Sequence, residues 1–84
     1  MTYKLIRKID IPKSSYITGV CLLNKNMLLT GDQAKIIRQW KIEEDNLILV
    51  SKKENAHGGY INVLLNIGNG LIASGSDDNT IKIW

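Results

Sequence analysis

Phenylalanine is absent from these 84 residues, and the 44% hydrophobic share comes mostly from aliphatic side chains. Cysteine occurs once, as Cys21 in the apolar run 20–23, so no intramolecular disulfide can form and a buried, inert thiol is expected. Histidine also occurs once, as His57, and one His with one Cys cannot make a zinc site. No run approaches the roughly 20 apolar residues that span a membrane. The N-terminal MTYKLIRKIDIP mixes charged and apolar residues and lacks the unbroken core of a signal peptide. These absences predict a soluble intracellular chain, cytoplasmic with the nucleus as an alternative. No segment spaces its apolar residues as a helix does, and although Ser51-x-x-Glu54 resembles a capping box, no apolar run follows it.

Charge is modest: 23% of residues, with a net +3 spread over scattered lysines and short runs such as Lys52-Lys53. That balance favours a solvated surface over a nucleic-acid partner. The composition is globular rather than disordered, but the length is short for an independent domain.

What the chain does have is short β-branched runs broken by turn residues. Residues 3–11 read as a strand closed by Pro12-Lys13-Ser14-Ser15. Further strands are predicted over 16–23, 27–30, 36–42 and 47–50, the last fraying into the charged residues 51–55. Two more runs, 61–67 and 71–73, flank Gly68-Asn69-Gly70, and a final one leads from Thr80 to Trp84. A shift of 44 residues lays the chain on itself without a gap: Tyr16 falls on Tyr60, Ile17 on Ile61, Gly31 on Gly75, Ile37 on Ile81 and Trp40 on Trp84. Four strands per unit and a period of about 40–45 residues resemble what the β-propeller family shows. If blades stack face to face, both faces of each sheet are covered, and inner strands such as 61–67 can be almost continuously apolar. Gly31 and Gly75 then mark places of tight turning or close backbone approach.

His57, Ser74, Asp78 and Trp84 carry the clearest likeness. Residues 57–84 closely resemble one WD repeat, and residues 3–56 resemble the same family more weakly. The resemblance implies an all-β fold of four-stranded antiparallel blades, here an incomplete, two-blade open arc. Residues 3–12 would be the outer strand of a preceding blade, 13–56 the first repeat, and 57–84 a second repeat lacking its outer strand. It also implies that His57, Ser74, Asp78 and Trp84 join in a hydrogen-bonded network: the indole N–H donates, the hydroxyl accepts and donates, the imidazole links, and the carboxylate accepts. In the first repeat Thr30 and Trp40 are kept, while Lys13 stands where the His would be and Ala34 where the Asp would be. Neither repeat carries the Trp-Asp pair, since Lys41 follows Trp40 and the sequence stops at Trp84.

His57, Ser74 and Asp78 are also the ingredients of a serine-hydrolase triad. Against that stand the missing Gly-x-Ser-x-Gly elbow, with Asn79 at its last position, and the unexplained Trp and repeat. Gly68-x-Gly70 lacks the further Gly or Lys of a phosphate loop. No catalytic residue, metal ligand or cofactor is therefore expected. Family geometry instead implies a protein-binding rim made of Tyr16, Thr18 and Gln33 in the first repeat and Tyr60, Asn62 and Asp77 in the second. Tyrosine is enriched at interface hot spots, although these two could simply shield blade edges. Stacked repeats generally need three or more units. The expectation is thus a fragment of a longer scaffold, or a chain whose copies complete a ring. The rival is a weak binder of nucleic acid or anionic lipid through surface lysines.

Overall fold

The structure, a computed structural model, describes residues 2–11, 16–44 and 46–84. Among the described residues the apolar runs form seven strands: β1 (Ile17–Asn24), β2 (Met27–Asp32), β3 (Ile37–Glu43), β4 (Asn46–Lys53), β5 (Ile61–Gly68), β6 (Leu71–Ser76) and β7 (Ile81–Ile83). Every neighbouring pair is antiparallel, in two sheets ordered β1-β2-β3-β4 and β5-β6-β7. Short turns link strands that are adjacent in sequence, which is why each sheet runs in chain order. At Asn69 (φ 55°) and Gly70 (φ 76°) both central residues are left-handed, the geometry that matches strand twist in a two-residue hairpin.

The 44-residue repeat is visible in the pairing itself. Val20 opposes Thr30 as Leu64 opposes Ser74, and Ile17 opposes Asp32 as Ile61 opposes Ser76. A bulge follows Ile17 and recurs after Ile61. Lys35 (φ 70°) and Asn79 (φ 67°) hold the same left-handed position ahead of β3 and β7.

Between the sheets lies one core. Cys21, Leu29 and Ile37 from the first sheet meet Ile61, Leu64 and Ile72 from the second, with Ala56 of the connecting segment beside them. Each aliphatic side chain buried there contributes about 1.5–3 kcal/mol. Burial pushes the Cys21 thiol above its ordinary pKa, as expected of an unreactive cysteine. Gly31 permits the closest approach, because a Cβ there would lie 2.6 Å from Ile61 Cγ2. That methyl hangs on a β-branched carbon and cannot swing aside. Gly31→Val is therefore expected to destabilise the chain by about 2–3 kcal/mol, read as a lowered urea midpoint.

Several expectations need correcting. Residues 3–11 form no strand. A strand is held by its ladder, and no sheet edge pairs with this segment. Instead Arg7, Ile9 and Ile11 lie along the face of the first sheet that points away from the core, over Ile17, Val20 and Leu28. β4 does not fray at residue 50, because Ser51, Lys52 and Lys53 pair with Gln39, Arg38 and Ile37, and backbone pairing tolerates charged side chains that face water. β5 is covered on one face only, where Ile61 and Leu64 meet the first sheet, while Val63 and Leu65 stay more than half exposed. Gly75, unlike Gly31, meets no closer atom than Val63 Cβ at 3.8 Å. The turn expected at 12–15 and the Asp45 position lie outside the described residues.

Candidate functional site

The β6–β7 turn folds back against the segment leading into β5, and this brings His57, Ser74, Asp78 and Trp84 together. Trp84 continues the β6 pairing through two backbone bonds with Ile72, at 2.8 and 3.0 Å, which aims its indole at the middle of β6. There Trp84 Nε1–H donates to Ser74 Oγ at 2.8 Å. Ser74 Oγ lies 2.7 Å from His57 Nε2, and His57 Nδ1 lies 3.0 Å from Asp78 Oδ2. The indole can only donate and the carboxylate can only accept. A neutral imidazole then satisfies both neighbours by carrying its proton on Nδ1 toward Asp78 and accepting the serine hydroxyl at Nε2.

Asp78 is the anchor. Thr80 donates to Oδ1 from its hydroxyl at 2.5 Å and its amide at 2.9 Å, and the Gly58 amide donates to Oδ2 at 2.9 Å. The Thr80 hydroxyl first, then the Gly58 amide and His57, hold the carboxyl well below its usual range, so it stays ionised at ordinary pH. A Cβ at Gly59 would stand 2.9 Å from the Asp78 amide, so glycine there lets the two segments close.

The first sheet solves the same problem with different residues. Trp40 Nε1–H donates to Thr30 Oγ1 at 2.9 Å, deep in the sheet. No histidine is present, and Lys13 lies outside the described residues. The carboxylate comes from Asp32, which is 1% exposed. Its Oδ1 accepts the Ile36 amide at 3.1 Å, and Ile36 is the counterpart of Thr80. Its Oδ2 pairs with the Arg38 guanidinium. Sequence reading missed this pair because it looked for an acid at position 34. The available signal was an Asp two residues earlier, with an Arg on the next strand.

The residues expected to form a rim lie just before or at the start of β1 and β5 and in the β2–β3 and β6–β7 turns. The Gln33 amide donates to the Tyr16 carbonyl at 3.1 Å, and the Asp77 amide to the Tyr60 carbonyl at 3.0 Å, so the two rims are built alike. Tyr16 is 76% exposed and Tyr60 46%. Asn62 and Asp77 are exposed and bonded to each other, and Gln33 is half-buried. Thr18 is turned inward instead: its hydroxyl donates to the Ile61 carbonyl of the other sheet. It ties the sheets together rather than facing outward.

Among the described residues, no three of His, Cys, Asp and Glu are grouped to hold a metal ion, and no helix is long and apolar enough to cross a membrane. Residues 49–84 match the family model described as WD domain, G-beta repeat. The match starts within β4 and runs through β7, so the sequence unit takes the last strand of one sheet with the first three of the next. No curated protein matches the chain.

Proposed function

The chain belongs to the WD-repeat family through residues 49–84, and on that premise we propose that it is a non-catalytic platform that binds other proteins through the loop rim. Repeats of this kind serve in general as protein-interaction scaffolds. The observation that carries the reading is how the polar groups are used. Ser74 is buried, accepts the indole proton and donates to His57, so the apparent triad is enclosed rather than open to a substrate. The residues left facing water at the rim are Tyr16, Tyr60, Asn62 and Asp77, with Gln33 partly exposed. Rigid aromatic side chains with a polar tip suit a protein interface.

The test is affinity capture from cell extract with the wild type and with a Tyr16→Ala/Tyr60→Ala variant, over a salt series. Proteins retained by the wild type are expected to be lost from the variant, which keeps its fold because both tyrosines are exposed. Binding that survives the double substitution but falls steeply with salt would establish the lysine-based rival, since counterion release gives that dependence. Copies of the chain are a further class of partner, and the free sheet faces bear on it.

A further inference from the structure

The contact between the two sheets has a defined chemistry. Ile61, Leu64 and Ile72 on one side seat against Cys21, Leu29 and Ile37 on the other, and Gly31 forms the notch that accepts Ile61. The 44-residue shift carries each half of that contact onto a second face of the same molecule. Ile61, Leu64 and Ile72 become Ile17, Val20 and Leu28 on the outer face of the first sheet. Cys21, Leu29, Gly31 and Ile37 become Leu65, Ala73, Gly75 and Ile81 on the outer face of the second.

Neither carried face is covered by a sheet. Val20 is 61% exposed and Ile81 76%. The Gly75 notch is open: nothing lies within 3.8 Å of a Cβ placed there, and its φ is not left-handed. Glycine at 75 is therefore needed by neither the backbone nor the packing of its own chain. The same residue at 31 is needed by Ile61. That contrast marks the Gly75 face as one that an isoleucine arriving from another chain would fit, and Ile17 of a second copy stands in the matching register.

We propose that the Gly75 face binds the Ile17 face of a second copy of this chain, head to tail, repeating the contact between its own two sheets. The inference rests on the repeat architecture and not on the rim. The two contacts differ in packing. Val63 replaces Gly19, whose Cβ position is 3.3 Å from the Leu64 amide nitrogen, and so widens the gap at that end. Leu65 in place of Cys21 adds further volume, and Val20 in place of Leu64 and Ala73 in place of Leu29 give up about as much. Such a contact uses two different surfaces and builds a ring where the rotation closes, or an open chain where it does not.

The docking face already has a tenant. Arg7, Ile9 and Ile11 share a cavity of about 360 Å³ with Ile17, Val20, Leu28, Ile42 and Leu47, and Ile9 and Ile11 are half-buried there. This strap must leave before a second copy can seat. Association is thus a competition between a tethered segment and a whole sheet face.

Sedimentation velocity on the full chain over a wide concentration range, with circular dichroism on the same samples, tests this. The wild type is expected to grow in mass with concentration from the 9.4 kDa single chain. Gly75→Val should keep the β signal and abolish the growth. Ile9→Asp/Ile11→Asp should loosen the strap and shift the association midpoint to about tenfold lower concentration. Tyr60→Ala should leave the growth unchanged, which separates failure of this contact from failure of the rim. A wild type that stays at one chain throughout, or one whose association is the same in Gly75→Val, overturns the proposal. Unspecific clumping of apolar faces gives the second result.

Discussion

Asp32→Ala is expected to lower the unfolding free energy by about 3–5 kcal/mol, the cost of breaking a buried ion pair from one side. Asp32 is almost wholly enclosed, and the Arg38 side chain is 15% exposed. Removing the carboxylate leaves a guanidinium with no counter-charge and the Ile36 amide with no acceptor. Domain stabilities are on the order of 5–15 kcal/mol, so one change of this size removes a large part of the total. The urea midpoint reads it directly. Asp32→Asn keeps an acceptor for Ile36 but loses the charge, and is expected to fall between the variant and the wild type. Asp32→Ala/Arg38→Met removes both charges and should regain most of the loss, because an apolar pair of similar volume can replace a buried salt bridge at little cost. A loss below about 1 kcal/mol in Asp32→Ala would show that the first sheet does not depend on this carboxylate.

The repeat was the legible part. Turn residues and β-branched runs placed the strands, and the identity of Trp40 with Trp84 and of Ile17 with Ile61 fixed the offset that the pairing registers then follow. Local signals do this well because each hairpin is closed by its own turn. Lost from view was whatever depends on a partner elsewhere. Residues 3–11 have strand composition, but composition supplies no ladder, and the segment lies flat on a sheet face. Lys52 and Lys53 look like a loop until their backbones are seen opposite Arg38 and Ile37. Thr18 and Asn62 are equivalent in sequence, yet Thr18 donates across to Ile61 while Asn62 stays in its own rim with Asp77. The difference is that only the first sheet has a neighbour on that side.

Position-by-position matching also hid how the first sheet supplies its carboxylate. Ala34 occupies the aligned place, and the acid that caps the approach to β3 arrives from the end of β2. What is shared is the group to be capped, the amide of Ile36 or of Thr80, together with an indole held by a hydroxyl. The hydroxyl bears the largest consequence in the second sheet, where it stands between two other groups rather than one.

Ser74→Ala is accordingly expected to cost about 1–3 kcal/mol, because it leaves the buried His57 unsatisfied, with a smaller part from Trp84, which is 39% exposed. The Trp84 indole N–H would lose its acceptor and His57 Nε2 its donor, with the imidazole side chain fully enclosed and unable to turn to water. His57 would still be held at Nδ1 by Asp78, so the loss is of satisfaction rather than of position. Thr30→Ala removes the equivalent hydroxyl from Trp40 alone, which is 4% exposed, and should cost about 1–2 kcal/mol, somewhat less than Ser74→Ala. Ser74→Thr keeps the hydroxyl, as Thr30 does in the same register position, and should lie within about 1 kcal/mol of the wild type. Urea unfolding followed by tryptophan fluorescence measures all three. The order Ser74→Ala, Thr30→Ala, Ser74→Thr, from most to least damaging, is what a proton chain running from Trp84 to Asp78 requires. Because Trp84 is more exposed than Trp40, a loss at Ser74 well below that at Thr30 would mean that His57 draws nothing from the serine.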